Sequence, residues 1–334
     1  MIKSEPYPYD TPFVAKCRQM QSRYREELGL PLRPYTVQNR RSKDFGKVYN
    51  LGNYIFSGEE SGANFLAGYI FEQAKERIKN KKPYETFDED RMFNNLLSSQ
   101  PMAFNLFCPL RKLLEENRIA ATKAIQAALP HYSIAIVSEV DLEFIPSNYQ
   151  DLTGDKSAMD AIIKYRDFEG KECFIAIETK YSENLGSNAA SFMKLSGEKY
   201  EEKRQKYFET IKKLNLFLPD IEDKIRNRPS KLTQLYRNFI LSEAYGNHEG
   251  MASNSIVLAP EKHPSTKREI ESLQKELLPQ AKDKIRGVTL EAFVDALIEA
   301  CDGEYKQIFE RFKKRYLSFA HYNHLGIYLK RKCF

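Results

Sequence analysis

The feature that most constrains this chain is a change of hydrophobic period in its middle third. Over residues 133–144, Ile134, Ile136, Val140, Leu142 and Phe144 share one parity, while Glu139, Asp141 and Glu143 share the other. Such alternation marks a half-buried strand. After a polar loop, residues 157–165 read as a second strand. Residues 167–170 supply a turn and 171–180 a third strand, so strands two and three form a hairpin. The third strand carries Phe174, Ile175, Ala176 and Ile177 without a break, then ends on Glu178, Thr179 and Lys180.

Around this block the period is helical. Residues 57–79 read as a helix stopped by Pro83, and 91–99 as a second broken at Pro101. Residues 102–129 form a third, kinked or split at Pro109. A charged helix is expected over 190–217. A further helix over 232–245 shows Leu235, Tyr236, Phe239 and Ile240 on one face, and residues 254–259 form a short buried strand ended by Pro260. Beyond Pro264 the reading is helical: 267–277, 290–300 and 305–321. The first fifty residues are irregular, with one short helix near 16–28. The order helix, three strands, helix, strand predicts an α/β fold with a mixed central sheet, flanked by N- and C-terminal helices. The expected division is an N-terminal extension with helices (1–95), a core (96–262) and a C-terminal helical region packed on it (263–334).

The chemistry concentrates at the strand ends. Glu178 and Lys180 are two apart, so on a strand they share a face. Charged groups are rarely buried without a partner or an ion. Counted from the turn, Asp160 on strand two falls opposite Glu178 on strand three. Two carboxylates about 4 Å apart repel by roughly 1 kcal/mol in water and 4 at an intermediate dielectric. A divalent cation removes that cost, and an all-oxygen site suits Mg²⁺ or Mn²⁺.

Asp160 followed on the next strand by Glu178-Thr179-Lys180 resembles the signature of the PD-(D/E)XK, or restriction-endonuclease-like, nuclease superfamily. The stretch SAMDAIIKYRDFEGKECFIAIETKY is similar to that pattern, as is the order of elements. Gln234-Leu235-Tyr236-Arg237 resembles the glutamine-bearing helix of several branches. The segments YNLGNYIF, NFLAGYIFEQAKERI and LLSSQPMAFNLFCPL resemble a bacterial family of uncharacterised restriction-endonuclease-like proteins, over most of the chain. Met159 stands where the superfamily name has proline, and Thr179 is polar where the middle residue is often apolar.

The resemblance implies an αβββαβ core and a metal-dependent nuclease acting on phosphodiester bonds, in DNA for preference. Asp160, Glu178 and Lys180 are then the catalytic candidates, with Asp160, Glu178 and the backbone carbonyl of Thr179 holding Mg²⁺, which Mn²⁺ would replace. Gln234, Arg237 and Gln100 are candidates for binding or supporting the substrate. A further acid is expected from Glu115, Glu116 or Glu139. Ser98 and Ser99 read as a helix cap before Pro101. The alternative is a non-catalytic nucleic-acid- or partner-binding protein on the same fold.

Composition sets limits on other classes. With 42% hydrophobic and 29% charged residues in 334, the chain matches an ordinary globular protein. No apolar run approaches the ~20 residues of a membrane span, and the opening MIKSEPYPYDTPF has no apolar segment of a secretory leader. The five cysteines form no CxxC pair, so a reducing cytoplasmic setting is expected. The five histidines show no HxxxH or HExxH spacing, which argues against zinc, and no GxxxxGK[ST] or GxGxxG occurs. The net charge is only +6, yet it is unevenly spread. Between residues 33 and 47, Arg33, Arg40, Arg41, Lys43 and Lys47 meet only Asp44. From Glu304 to the end, eight bases face two acids, while residues 139–160 hold six acids and one base. A basic periphery around an acidic centre fits a metal-dependent enzyme on a polyanion.

Overall fold

A computed structural model describes residues 4–85, 87–186 and 189–319. Its centre is a five-stranded sheet in the order β3-β4-β5-β6-β7, with β3 Ile134–Phe144, β4 Met159–Asp167, β5 Glu172–Thr179, β6 Ala252–Ala259 and β7 Ile285–Thr289. Strands β3, β4 and β5 are antiparallel neighbours, whereas β5–β6 and β6–β7 pair in parallel. A separate two-stranded hairpin, β1 Tyr35–Thr36 and β2 Val48–Tyr49, lies in the N-terminal part. The mixed sheet between helical layers is the expected restriction-endonuclease-like architecture.

The helices are α1 Pro12–Glu27, α2 Gly58–Ser61, α3 Gly68–Lys79, α4 Glu89–Asn94, α5 Ser99–Glu116, α6 Arg118–Ala128, α7 Tyr149–Leu152, α8 Glu198–Leu214, α9 Ile221–Asn227, α10 Gln234–Glu249, α11 Thr266–Gln274, α12 Leu290–Ala300 and α13 Gly303–Leu317. Strand β5 divides them into two layers. Its Ile175 and Ile177 face a cluster with Phe104, Phe107, Phe293, Phe309 and Tyr316, contributed by α5, α12 and α13. Its Phe174 and Ala176 face the other cluster, with Tyr207, Tyr236 and Phe239 from α8 and α10. Burying each such large apolar side chain contributes about 1.5–3 kcal/mol. Several together offset the cost of the charged pair at the strand's end, several kcal/mol per buried ion.

Several boundaries differ from the sequence reading, each for a local reason. The helix expected over 57–79 is divided at Gly62, whose φ of +65° ends α2. Pro101 does not break a helix. It lies in the first turn of α5, where no intrahelical N–H is required. Helix α5 also runs through Pro109, and the division falls at Asn117, whose side chain accepts from Ala120 N and caps α6. Helix α1 is longer than expected, capped by Thr11 with Pro12 in its first turn. Strand β7 lies where only helix was expected. It is a five-residue edge strand containing Arg286 and Gly287, too short and too polar to announce itself. In β3, bulges before Ile136 and Glu139 shift the parity, so Val137 is buried and Ile136 is exposed. The far end of the helix expected over 305–321 lies outside the described residues, as do His321, His324 and Cys333. Cys17, Cys108, Cys173 and Cys301 are buried and unpaired. Among the described residues no helix is long and apolar enough to cross a membrane.

Candidate active site

The turn after β4 is built by Asp167, whose carboxylate accepts from Glu169 N and Lys171 N, and by Gly170 at φ +84°. This fixes the hairpin register, with Ala161 opposite Ile177. One step further along, Asp160 meets the end of β5. Its Oδ2 accepts from the Thr179 amide at 2.6 Å and from the Thr179 hydroxyl at 2.8 Å. Thr179, polar where an apolar residue was the pattern, is therefore the group that holds Asp160.

Glu178 and Lys180 share the opposite face of β5 and are almost fully buried, at 4% and 7% exposure. The Lys180 ammonium donates to Glu178 Oε1 at 2.5 Å and, more distantly, to Gln234 Oε1 at 3.4 Å. Asn238, one turn beyond Gln234 on α10, donates to Glu178 Oε2. The backbone ladder continues past the strand, with Lys180 N donating to Leu258 O at 2.8 Å. The ammonium thus stands on a rigid element.

A third carboxyl arrives from β3, and it is Glu143. Its backbone sits at φ +52°, an uncommon conformation for a residue other than glycine. Its Oε1 accepts from Gln100 Nε2 at 2.9 Å, and its carbonyl accepts from Arg77. Burial and then the Asp160 charge push the Glu143 carboxyl up to about 8. The same two causes raise Glu178 to about 7, against the pull of Lys180 and Asn238. Burial also raises Asp160, against Lys180 and the Thr179 hydrogen bonds. For Lys180, burial alone would lower its pKa, but Glu178 and Asp160 outweigh it and hold the ammonium protonated. Asp160 and Glu178 lie close enough to disfavour each other's charge, with Lys180 the cation set against both, while Glu143 has Arg77 beside it.

A fourth acid, Glu183, is neutralised locally. It accepts from Ser99 N and Oγ at 2.9 and 3.0 Å, at the N-terminus of α5, and from Arg91. Burial would raise its pKa, but Arg91, Lys180 and the Ser99 amide hold it down at about 2.

The other candidates divide cleanly. Gln234 and Gln100 reach the cluster. Arg237 does not: its guanidinium is bonded to Asp155 and Ser157, bracing the loop before β4. Glu139 pairs across the sheet with Lys164 at 2.9 Å. Glu115 and Glu116 lie at the far end of α5, about 22 Å of helix from Gln100. There Glu116 binds Lys112 and Tyr305. Ser98 caps α5 as expected, while Ser99 serves Glu183. Sequence reasoning missed Glu143 and Asn238. Asn238 carried a readable signal, its place four residues after Gln234 on one helix face.

The donors available to a hard cation are Asp160, Glu178 and the Thr179 carbonyl, with Glu143 nearby. Among the described residues no three His, Cys, Asp or Glu converge as a ready-made metal cage. An oxygen set of two carboxylates with room for water is the kind Mg²⁺ accepts, and the repulsion among the acids is relieved by positive charge. A pocket of about 240 Å³ opens beside Glu143, lined by Tyr84, Phe87 and Lys156 among others.

No curated protein and no solved structure matches this chain. A family model does, described as the PD-(D/E)XK nuclease superfamily and matched by residues 8–318. The match spans nearly all of the chain, including every side chain of the acid cluster, and the protein belongs to the PD-(D/E)XK nuclease superfamily.

Proposed function

We propose that this protein is a Mg²⁺-dependent nuclease that hydrolyses phosphodiester bonds in DNA, with Mn²⁺ able to substitute. One observation carries the reading: Asp160, fixed by Thr179, and the buried Glu178–Lys180 pair meet where β4 begins and β5 ends. Membership of a superfamily of nucleases supports it.

In this reading Asp160 and Glu178 hold the cation, with the Thr179 carbonyl completing the protein's share. A bound divalent cation lowers the pKa of a water molecule and neutralises charge on the phosphoryl oxygens. Lys180, kept protonated by Glu178 and steadied by Gln234, orients the attacking water and offsets charge developing on phosphorus. Thr179 fixes the Asp160 carboxylate through two hydrogen bonds, leaving its other oxygen open. Asn238 fixes Glu178 through one hydrogen bond to Oε2, while Lys180 engages Oε1. Glu143, carried to the cluster by its unusual backbone and held by Gln100, is the added acid that Glu115, Glu116 and Glu139 do not supply.

The test is cleavage of plasmid and oligonucleotide DNA with Mg²⁺ or Mn²⁺, beside Asp160→Ala and Lys180→Ala. Cutting by the native protein that disappears in both variants is expected. Cutting that persists in both overturns the assignment, and salt-sensitive binding without cutting would instead favour a non-catalytic nucleic-acid-binding protein.

A further inference from the structure

The basic run at residues 33–47 takes no part in the acid cluster, yet the fold gives it a defined form. It is the β1–β2 hairpin and its loop. Val37 and Lys47 close the loop, with Val37 N donating to Lys47 O and Gly46 N to Val37 O, both at 3.0 Å. Gly46 supplies the φ of +79° that the return requires. Inside, Asn39 Oδ1 accepts from Arg41 N and Ser42 Oγ from Asp44 N, so the loop is tied by its own turns. The hairpin has its own small core of Val37, Tyr49 and Leu51, with Tyr7, Tyr35 and Tyr54 packed on it.

Two features set this loop apart from a merely solvated one. Its single acid is turned inward: Asp44 accepts from the Tyr9 hydroxyl at 2.9 Å and the Tyr49 hydroxyl at 2.6 Å. Arg40, Arg41 and Lys43 are exposed, Lys43 with its ammonium 5.8 Å from the centre of the Tyr9 ring, and no ion pair among the described residues takes any of them. Beside these cations the hairpin also exposes apolar surface, with Phe45 of the loop at 55% and Val48 of β2 at 56%. Cations with adjoining apolar surface match a sugar–phosphate backbone, whose phosphates alternate with sugar faces.

The hairpin is also tied to the candidate site. Arg33, at its foot, makes a two-pronged ion pair with Asp90 on α4 at 2.5 and 2.8 Å. The next residue, Arg91, binds Glu183, three residues past Lys180. Tyr35 stacks on Tyr54 at 5.0 Å, and Tyr54 bridges to Asn95 just before α5. Consecutive residues of α4 therefore join the arm to the end of β5.

We propose that the β1–β2 hairpin is a nucleic-acid-gripping arm: Arg40, Arg41 and Lys43 neutralise backbone phosphates of duplex DNA flanking the cutting site, and Phe45 packs against its sugars. The proposal rests on the nuclease reading for the location of the DNA, but not for the contact itself.

The experiment measures binding of a fluorescein-labelled 30-bp DNA duplex to the full chain in EDTA, across a series of KCl concentrations. For B-DNA each phosphate neutralised adds about 0.9 to the slope of log K against log salt. Arg40→Ala/Arg41→Ala/Lys43→Ala should lower that slope by about 2–3. Affinity at 100 mM salt should fall at least tenfold, with the circular-dichroism spectrum unchanged. Phe45→Ala should weaken binding without changing the slope. If the triple variant is poorly folded, Arg41→Gln alone should lower the slope by about 1. An unchanged slope in a folded variant overturns the proposal. Cleavage by the native protein in Mg²⁺ is scored separately. Cutting with an unchanged slope defeats the arm alone, and a lowered slope without any cutting supports the arm while defeating the nuclease.

Discussion

Gln100 Nε2 lies 2.9 Å from Glu143 Oε1, so the first turn of α5 holds a carboxyl that β3 delivers through a residue at φ +52°. The contact joins residues 43 apart in sequence and places a third acid beside Asp160 and Glu178. With no cation bound, Glu143 is a burden on the fold, because burial and Asp160 both disfavour its charge. Glu143→Gln should therefore raise the stability of the metal-free protein at pH 8, by about 1–3 kcal/mol. The same change should lower Mg²⁺-supported cleavage at least tenfold. Urea unfolding in EDTA and an initial-rate cleavage assay read the two effects. Loss of stability on substitution would show that the Glu143 charge is welcome where it sits.

Asn238 is the only side chain other than Lys180 given a hydrogen bond to the Glu178 carboxylate among the described residues. A hydrogen bond to a buried charge is worth about 1.5–3 kcal/mol. Asn238→Ala should cost about that much in urea unfolding and release Glu178 from its set direction. Cleavage should fall about tenfold, chiefly in kcat, because Asn238 acts through Glu178 and touches no substrate in the proposed mechanism. A variant that cuts at the native rate would show that Lys180 alone suffices to orient Glu178.

These two cases also show what was legible in the sequence. Asp160, Glu178 and Lys180 could be brought together on paper because a short hairpin joins them. A turn with Asp167 and Gly170 fixes the register, and parity then assigns the faces. Gln234 came with the helix that follows. Glu143 could not be placed this way, since simple alternation groups it with Glu139 and Asp141 on a solvated face. What carries it to the cluster is the β3–β4 register, which sets it between the Leu142–Ala161 and Phe144–Met159 pairs opposite Asp160, together with a positive φ, neither written in local composition. Ser99 and Glu183 meet across 84 residues, a tertiary contact beyond any local pattern. Strand β7 was hidden for the same reason: its pairing with β6 depends on the crossover through α11, not on its five residues.

His263 links the loop after β5 to the start of α11. Its Nε2 lies 2.9 Å from the Glu183 carbonyl and its Nδ1 2.7 Å from Thr266 Oγ1. Burial, acting against the Glu183 contact, lowers its pKa from the ordinary 6.5. The unfolded chain therefore takes up this proton first. Its contribution to stability is complete above about pH 6.5 and is lost as pH falls through the lower folded value. The slope from this one group stays below about 1.4 kcal/mol per pH unit. Native protein should lose more stability between pH 7.5 and 5.5 than His263→Gln, measured as the shift in urea midpoint. Equal shifts would remove His263 from the account.

Arg315 presents the last case, a guanidinium 3% exposed with no carboxylate paired to it among the described residues. Its Nε donates to Gln21 Oε1 at 3.1 Å, and its two terminal nitrogens donate to the Asn64 carbonyl and Asn64 Oδ1 at 2.8 and 2.6 Å. The Tyr24 and Tyr316 rings lie 4.3 and 4.5 Å from it. Neutral acceptors and ring faces thus take the place of a counter-ion. Gln21 also donates to the hydroxyl of Tyr181, the residue after Lys180, so α13, α1 and the end of β5 are fastened at one point. A lysine carries the same charge but lacks the planar fork that reaches three acceptors at once. Arg315→Lys should therefore destabilise the protein by about 3 kcal/mol, since it leaves buried acceptors unsatisfied. Because Arg315 reaches Lys180 only through Gln21 and Tyr181, cleavage per folded molecule should stay within a fewfold of native. Urea unfolding and active-site-normalised rates separate the two effects. A folded variant of native stability would mean that the neutral acceptors, not the guanidinium's shape, hold this junction.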